Sequence, residues 1–444
     1  MLLSKNNIMF TAGVLSSLTG LSDNHKQIEK PQKPNIVLIM ADDLGYGDLN
    51  FYNSKHVNTP NLDALRKGGV LFTDFHSNGA VCSPTRAALL SGKYQQRVGI
   101  EGVVKAKTGR HDGMDEKVLT IAEELKSHNY RTGMFGKWHL GYDTIYNPVK
   151  QGFDEFSGFV SGNIDYHSHV DQEGYPDWYH QSQLRDVKGY STDLITQDAL
   201  GFINRNQNEN FFLYLPYETP HYPYQDRMSK ADRMVGGKPR VDFPVAGSSP
   251  DKKETYARMI EILDENIGLL MSRLKELNLL DNTLIVFCSD NGAAHAGSNG
   301  CLRGKKSTVF EGGHRVPALA YWQGQIEAGS VCNHSLLTFD LYPTFLDVIG
   351  VESIQARELD GVSFLKTLQK NKKNKRNYLV WRHGQQYAVR KRDYKLIVDT
   401  KKKDTLLFDL RKDLEEKDDL SKIKTHKVKQ LLKYYKQWCV SVEK

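Results

Sequence analysis

Three short stretches of almost continuous apolar residues are the clearest pattern along the chain. They are NIVLIM at 35–40, FFLYLPY at 211–217 and TLIVFCS at 283–289. Apolar residues that do not alternate with polar ones, between polar clusters, are typical of strands buried on both faces. We therefore expect these stretches to be strands inside a sheet.

Segments with apolar residues at helical spacing alternate with these strands. The spacing predicts helices at 61–67, 84–94, 117–127 and 252–277. Pro84 suits the first position of a helix, so Cys82 and Ser83 are predicted to lie at its N-cap. Strands and helices in alternation predict an α/β fold in which helices cover both faces of a mostly parallel sheet.

The pattern changes after about residue 350. A lysine-rich stretch, KTLQKNKKNKRN, is followed by the alternating runs QYAVRKRDYKLIVD and TLLFDL and by a basic amphipathic helix near 424–438. Period-two alternation predicts a smaller α+β domain built on an antiparallel sheet. We therefore divide the chain into a possible signal peptide and tail at 1–33, a large α/β domain at 34–350 and a small C-terminal domain at 351–444. We interpret the lysine run as a solvated loop.

Charge and cysteine content exclude several classes of protein. The chain has 60 Lys and Arg against 53 Asp and Glu among 444 residues. This mixed surface is not typical of a nucleic-acid-binding protein, and we expect no nucleic-acid partner. The odd number of cysteines, without a C-x-x-C pair, indicates neither a zinc site nor a disulfide framework; the five are Cys82, Cys288, Cys301, Cys332 and Cys439.

The N-terminal residues bear on localisation. Lys5 precedes the moderately apolar run IMFTAGVLSSLTG, which resembles a bacterial signal peptide without a clear A-x-A cleavage site. This predicts an exported protein, periplasmic or secreted; a frayed tail on a cytoplasmic protein is the alternative. No later stretch approaches the roughly 18 apolar residues of a membrane span.

Polar side chains follow two of the predicted strands where each ends. Asp42 and Asp43 follow the first strand, and Asp290 and Asn291 follow TLIVFCS. Ligands of parallel α/β sheets bind beyond the carboxyl ends of the strands, so neighbouring strands would bring these oxygen atoms together. A divalent cation would relieve the repulsion, and oxygen ligands suit Ca²⁺ or Mg²⁺. Ordinary turns are the alternative.

A set of cationic and imidazole side chains lies in the segments between the strands. Lys137 and His139 are two residues apart and would point to one face of an extended strand. Together the set could hold a tetrahedral anion, with histidines as acid and base; its members are Lys137, His139, His221, Arg303, Lys305 and Lys306.

Cys82 allows two interpretations at this stage. At a helix N-terminus, free N–H groups and the helix dipole favour a bound anion or a tuned nucleophile. A free cysteine is, however, usually a small buried apolar residue.

The order of these motifs resembles the formylglycine-dependent (type I) sulfatases of the alkaline-phosphatase-like superfamily. The resemblance extends from Pro34 to about Asp418. It rests on NIVLIMADDLGYGDL, CSPTRAALLSGKY, GKWHLG, GFDEFSGF, TPHYP, DNG, KSTVFEGGHRVP, DLYPTFLDVIG and LFDLRKDLEEKDDL. In this family the cysteine of C-x-P-x-R is oxidised to formylglycine, whose hydrated aldehyde attacks sulfur.

The resemblance implies a role for each candidate residue. Cys82 would be the formylglycine precursor, and Arg86 would hold the aldehyde hydrate and the metal-ligand carboxylates. Lys137 and Lys306 would bind sulfate oxygens, with Lys306 preferred to Lys305 because it stands five residues before Glu311. His139 would deprotonate the hydrate, and His221 would face the leaving oxygen. The resemblance makes Ca²⁺, rather than Mg²⁺, the expected metal, with the ligands Asp42, Asp43, Asp290 and Asn291.

The expected function is hydrolysis of a sulfate ester on a sulfated glycan or saccharide (EC 3.1.6.-). A broad arylsulfatase, a phosphonate or phosphate diester hydrolase of the same superfamily, and a non-catalytic polyanion-binding relative are the alternatives. The resemblance also implies a maturation partner, either a formylglycine-generating enzyme or an anaerobic sulfatase-maturating enzyme.

One polar, aromatic-rich stretch is a candidate for substrate recognition. SGNIDYHSHVDQEGYPDWYH, at 161–180, contains His167, His169 and Trp178, and aromatic faces and imidazoles suit sugar rings and hydroxyls. Rings that pack on the domain itself are the alternative.

Overall fold

The structure is a computed structural model that describes residues 33–52, 57–238, 241–370, 372 and 376–443. These belong to one compact unit. The predicted signal peptide lies outside the described residues, and the division at residue 350 stays a prediction. Within the described residues, no helix is both long and apolar enough to span a bilayer.

The strands of the described residues, in chain order, are β1 Asn35–Ala41, β2 Val70–Phe72, β3 Phe75–His76, β4 Arg131–Lys137, β5 Glu155–Phe159, β6 Tyr179–His180, β7 Gln183–Leu184, β8 Phe211–Pro216, β9 Thr283–Ser289, β10 Ala318–Tyr321, β11 Ser330–Cys332, β12 Leu336–Leu337, β13 Leu379–His383, β14 Gln386–Lys391, β15 Tyr394–Asp399 and β16 Asp404–Asp409.

The α-helices are α1 Pro60–Gly68, α2 Cys82–Ser91, α3 Ile121–Ser127, α4 Ser191–Arg205, α5 Lys252–Glu276, α6 Glu311–His314, α7 Leu341–Val348, α8 Leu365–Lys370 and α9 Thr425–Val442. Short 3-10 helices lie at Asn50–Tyr52, Thr144–Tyr146, Pro148–Lys150, Leu280–Asn282 and Thr338–Asp340.

Ten strands form the main sheet, in the order β11-β2-β10-β9-β1-β8-β4-β5-β6-β7. The five strands β9, β1, β8, β4 and β5 are parallel to one another. Successive residues of β1 belong to different hydrophobic cores: Ile36 and Leu38 pack with α2, α3 and α7, whereas Val37 and Ile39 pack with α1, α4 and α5. The predicted sheet with helices on both faces is confirmed.

The C-terminal part has its own sheet. Strands β13, β14, β15 and β16 are antiparallel in chain order, and α9 packs on β14 and β15. Trp381, Leu396, Leu431 and Trp438 form the core between sheet and helix. The predicted antiparallel α+β arrangement is confirmed.

Three predicted boundaries of two helices were wrong, both ends of α2 and the start of α3. Helix α2 begins at Cys82 with Val81 as N-cap, and it ends at Ser91 because Gly92 takes a left-handed φ of 68° and donates its N–H to the carbonyl of Ala88. Helix α3 begins at Ile121, not at residue 117, because Thr120 and Glu123 form a capping box.

Candidate active site

The carboxylates that follow β1 and β9 lie together at one edge of the main sheet. These strands are parallel neighbours, with Ala41 opposite Ser289, so both end at the same level. Asp43 donates its backbone N–H to Asp290 Oδ1 (3.3 Å), and Asn291 Nδ2 donates to Asp43 Oδ1 (2.7 Å). Asp42 is also buried here. The predicted convergence of the two strand ends is therefore present.

Each of the three carboxylates has a cationic partner. Arg86 Nη2 lies 2.8 Å from Asp290 Oδ2, Lys306 Nζ lies 2.6 Å from Asp43 Oδ1, and Lys137 forms an ion pair with Asp42. Burial alone would raise the pKa of Asp43, but Lys306 and His221 hold it below its usual value. The cations thus keep this carboxylate ionised in a buried site.

Cys82 lies among these groups at the first position of α2. Its Sγ is 3.6 Å from Asp42 Oδ1, and Lys306 Nζ is 3.3 Å from Sγ. The side chain is buried, and burial raises the pKa of the thiol to about 12. An unmodified Cys82 is therefore a neutral thiol at physiological pH and a poor nucleophile.

The side chains of Lys305 and Lys306 point to different places in the structure. Lys306 points to Cys82 and Asp43, whereas Lys305 is exposed and its Nζ donates to the carbonyl of His295 (3.2 Å). The Lys306 loop approaches the Asn291 loop closely, since a Cβ added at Gly292 would meet the carbonyl oxygen of Gly312 at 1.8 Å. A glycine at 292 is therefore required for this approach.

His139 lies at the site because of a backbone conformation that strand alternation does not predict. Strand β4 ends at Lys137, and His139 has a φ of 58°, so the two residues do not share an extended segment. Its Nε2 lies 3.2 Å from the carbonyl of Val104, whereas Nδ1 is buried without a partner among the described residues. Burial and the charge of Lys137 lower the pKa of His139 well below its usual value. The ring is therefore neutral and has a free basic nitrogen.

His221 lies beside Asp43. Its Nδ1 is 2.6 Å from the carbonyl of Tyr222, and its Nε2 is 3.5 Å from Asp43 Oδ2. Burial lowers the pKa of His221 well below its usual value, although Asp43 acts in the opposite direction. The ring of Tyr222 stacks on His221 at a centroid distance of 4.3 Å, and the exposed His295 meets Tyr222 edge-on.

Sequence reasoning missed Glu218, three residues before His221. Glu218 is buried and accepts a hydrogen bond from the Ser191 hydroxyl, while its Oε2 has no partner among the described residues. Burial raises the pKa of Glu218 to about 7. Its position directly before TPHYP was the available signal.

The aromatic stretch 161–180 is more buried than its polarity suggests. His169 and Trp178 are each 3% exposed, and their rings pack together at 4.7 Å. His167 is partly buried, with Nε2 2.9 Å from the carbonyl of Asp226. The packing gives the predicted substrate role of these rings no support, and that role stays a prediction.

A second buried polar cluster joins the Lys306 loop to the C-terminal sheet. Lys395 of β15 lies 2.8 Å from Glu311 Oε1 and 3.0 Å from Glu416 Oε1. Glu416 also accepts the backbone N–H of Glu311 (2.7 Å), and its carbonyl accepts a hydrogen bond from Arg303 (2.6 Å). Glu416, in the motif LFDLRKDLEEKDDL, thus helps to hold the segment 311–313, which follows Lys306, in place.

The carboxylate and amide oxygen atoms of the cluster fit a hard divalent cation, whereas the Cys82 thiol and the His221 imidazole beside them are not typical ligands of one. Asp42, Asp43, Cys82 and His221 each offer a ligand atom within 4.8 Å of the others. Among the described residues, Asp43 Oδ2 and Asn291 Oδ1 are buried without a hydrogen-bond donor. Buried oxygen atoms without partners are costly, and a cation bound by both would satisfy them.

Comparison with known proteins identifies the family. The family model for sulfatases matches residues 34–351. The chain belongs to the sulfatase family. Members of this family hydrolyse sulfate esters, and the resemblance inferred from the motifs is confirmed. A model for the C-terminal region of N-sulphoglucosamine sulphohydrolase matches residues 304–439, which include the C-terminal sheet.

Individual relatives are similar over most of this sulfatase-family chain. It is 34% identical to N-acetylgalactosamine-6-sulfatase of Homo sapiens over 362 residues, 76% of this chain and 66% of that one. It is 35% identical to arylsulfatase A of Homo sapiens over 351 residues, 71% and 64% of the two chains. It therefore spans about two thirds of the length of each.

A solved structure covers more of the chain. The crystal structure of Ps i-CgsB in complex with k-i-k-neocarrahexaose has a TM-score of 0.82 and is 32% identical, covering 92% of this chain and 93% of that one.

Proposed function

We propose that this protein hydrolyses sulfate esters on a sulfated glycan, using formylglycine made from Cys82 and a Ca²⁺ ion held by Asp42, Asp43, Asp290 and Asn291. The observation that carries the proposal is the position of Cys82, whose Sγ contacts both Asp42 Oδ1 and Lys306 Nζ. Burial raises the pKa of its thiol, so an unmodified Cys82 is a weaker nucleophile than a thiolate. Formylglycine would supply a hydroxyl nucleophile in its hydrated form.

The residues around Cys82 are suited to hold a sulfate group. Lys306 and Lys137 place two ammonium groups at the site, and the first turn of α2 adds backbone N–H groups. Fixed cations in a buried pocket stabilise charge that develops on the nonbridging oxygens. Ca²⁺ would add a further positive charge beside the reacting group.

The two histidines are placed to transfer protons. His139 has an unpartnered Nδ1, and its lowered pKa keeps the ring neutral, so this nitrogen can accept a proton. His221 faces Asp43 through Nε2, and it would protonate the leaving oxygen only as the imidazolium, which the negative charge of a bound sulfate ester would favour. Arg86 keeps Asp290 in place by two hydrogen bonds to Oδ2.

The sulfated-glycan part of the proposal is supported by the site entrance and by the relatives. Tyr222 is partly exposed beside His221, and His295 is exposed next to it, so an aromatic face and an imidazole lie where the alcohol part of a substrate would enter. One relative is named for N-acetylgalactosamine 6-sulfate chemistry, and Ps i-CgsB was crystallised with a neocarrahexaose. Export to the periplasm or medium, where such polymers occur, belongs to the same proposal.

The test uses protein produced with and without a formylglycine-generating enzyme. Mass spectrometry of the peptide that contains Cys82 measures conversion to the aldehyde. Sulfated mono- and oligosaccharides, an aryl sulfate and a phosphonate monoester or phosphate diester are compared, with free sulfate or free alcohol as the readout. We expect activity on saccharides to follow the converted fraction.

Two variants serve as controls. Cys82→Ala should abolish turnover, whereas Cys301→Ala, which removes an exposed thiol, should retain it. Full activity with an intact Cys82 thiol would contradict the mechanism. Activity on the aryl sulfate alone would indicate a broad arylsulfatase, and preference for the phosphorus ester would indicate the diester hydrolase.

A further inference from the structure

The positive charge of the chain is concentrated in its C-terminal part. Residues 351–444 contain 25 Lys and Arg against 13 Asp and Glu, whereas residues 1–350 contain 35 against 40. The overall net charge of +7 therefore conceals a basic C-terminal region and a slightly acidic remainder. Such an asymmetry indicates a surface that attracts anionic partners.

Part of this charge converges on one hollow. The turn between β14 and β15 and the start of α9 enclose about 410 Å³, lined by Lys391, Arg392, Asp393, Tyr394, Lys427 and neighbouring residues of α9. We name it the basic hollow. Lys424 and Lys427 lie over the Tyr394 ring, with Nζ 5.7 and 5.2 Å from its centroid. Two lysines thus lie over one partly exposed tyrosine, and Lys391 and Arg392 line the same hollow.

These cations differ from others of the same region in having no carboxylate partner. Arg390, Lys395 and Lys417 are each paired with a carboxylate. In contrast, Lys391, Arg392, Lys424 and Lys427 are paired with none within 4.0 Å among the described residues, and Lys391 donates to the Tyr434 hydroxyl instead. Clustered like charges repel, so an anion bound among them would be stabilised.

The surroundings of the basic hollow favour an extended ligand. A second hollow of about 340 Å³ shares Arg392 and Asp393 with it and continues toward His334 and Tyr378. Tyr394 and Tyr434 are partly exposed, and their rings can pack against the faces of sugars. Neither β14, β15 nor α9 contributes a side chain to the Cys82 cluster, so this surface is separate from the catalytic groups.

We infer that the basic hollow binds chains of a sulfated polysaccharide and so holds a polymeric substrate on the enzyme. Sulfate groups contact the four cations, and sugar rings contact the tyrosines. The inference rests on the proposed function for the identity of the polymer, whereas the binding itself requires no catalysis. Its affinity falls with salt, because the polymer releases counterions on binding.

Two sets of substitutions test it. The test set is Arg392→Gln, Lys424→Gln and Lys427→Gln. The control set is Lys401→Gln, Lys402→Gln and Lys403→Gln, in the exposed turn at the other end of β15. Both sets remove three charges, and each includes one residue with positive φ, 55° at Arg392 and 60° at Lys403. They are therefore matched in charge and in backbone strain.

The measurement is the dissociation constant for heparin, at several salt concentrations, of protein that carries Cys82→Ala. We expect the test set to raise this constant about tenfold or more and to lower the salt slope by about 2 to 3, and the control set to change it less than about threefold. Equal effects of the two sets, or no binding by the parent, would overturn the inference. If double-stranded DNA bound as tightly as heparin, the basic hollow would be a general polyanion-binding site and not a site for sulfated polysaccharide.

Catalysis is measured separately in the same variants with Cys82 intact and converted. The test set should keep kcat/KM for a sulfated monosaccharide within about twofold and lose activity on the polymer. If the protein with formylglycine at residue 82 and no other substitution showed no turnover, the proposed function would be refuted. Heparin binding by the Cys82→Ala protein does not depend on turnover and would still test the basic hollow.

Discussion

Arg86 donates hydrogen bonds from Nε (3.2 Å) and Nη2 (2.8 Å) to the same oxygen, Oδ2, of Asp290. Both side chains are almost completely buried. A buried ion pair contributes little net stability, but removal of one partner leaves the other charge without compensation. The pair thus connects α2, one turn after Cys82, to the residue that follows β9, and it fixes Cys82 relative to the carboxylates.

Asp290→Asn should therefore destabilise the protein by about 3 kcal/mol, because Arg86 loses its main charged partner. The measurement is urea denaturation at neutral pH. Asp281→Asn, an exposed substitution just before the same strand, should cost less than about 0.5 kcal/mol. Equal stability of the two variants would mean that Arg86 is not held by Asp290.

The sequence predicted the carboxylate cluster because its geometry follows from the sheet. Parallel neighbours end together, so DD after β1 and DN after β9 must meet. His139 was placed at the site for the wrong reason, since alternation assumes an extended backbone and His139 has a φ of 58°. A single left-handed residue is invisible to periodicity.

The burial of polar residues is the second feature that the sequence pattern did not predict. Trp178 and His169 stack inside the protein, although the surrounding stretch is polar. The clamp of Lys395 and Glu416 on Glu311 joins segments about 80 to 105 residues apart. The local sequence pattern predicts neither the packing of Trp178 on His169 nor the contacts of Lys395 and Glu416 with Glu311. Both depend on which segments the fold brings together.

Lys306 and Lys305 provide a matched pair for the sulfate site. Lys306→Ala should lower kcat/KM by at least about 100-fold, because its ammonium lies beside Cys82 and Asp43 and would stabilise charge on sulfate. Lys305→Ala should change it less than about threefold, since Lys305 is exposed and donates hydrogen bonds to backbone carbonyls away from Cys82. Steady-state kinetics on one sulfated monosaccharide measure both. A larger loss in Lys305→Ala would reassign the sulfate-binding lysine.

Removal of the metal should lower activity and thermal stability together. A ligand that binds only the folded state stabilises it by about 4 kcal/mol when its concentration is 1,000 times Kd. Treatment with EDTA, followed by calorimetry and an activity assay, tests this. Reloading with Ca²⁺ and, separately, Mg²⁺ should identify Ca²⁺ as the better stabiliser.

Asp43→Asn tests whether stabilisation by Ca²⁺ depends on this carboxylate. It should reduce the stabilisation gained on adding Ca²⁺, because it removes one formal charge from the donor set. If exhaustive chelation changed neither activity nor melting temperature, the four-oxygen site would be wrong.

Glu218 should make stability depend on pH. Its pKa is about 7 in the folded protein, against 4.5 for an ordinary glutamate. Between these values the folded state binds more protons than the unfolded state, so stability from this group is present below about pH 4.5 and is lost as pH rises to about 7. Glu218→Gln removes the titration while its amide oxygen still accepts the Ser191 hydroxyl. The variant should therefore gain stability over the parent with rising pH, by at most about 3 kcal/mol at pH 8.

Urea denaturation at pH 5, 6, 7 and 8, with Ca²⁺ held constant, measures this difference. Glu209→Gln, an exposed substitution at the end of the loop before β8, is measured at the same four pH values as the control variant. A constant difference for Glu218→Gln would mean that Glu218 titrates at the same pH in the folded and unfolded states. A difference that grows in the opposite direction would mean that Glu218 is stabilised as a carboxylate, with Lys137 prevailing over burial and Asp42.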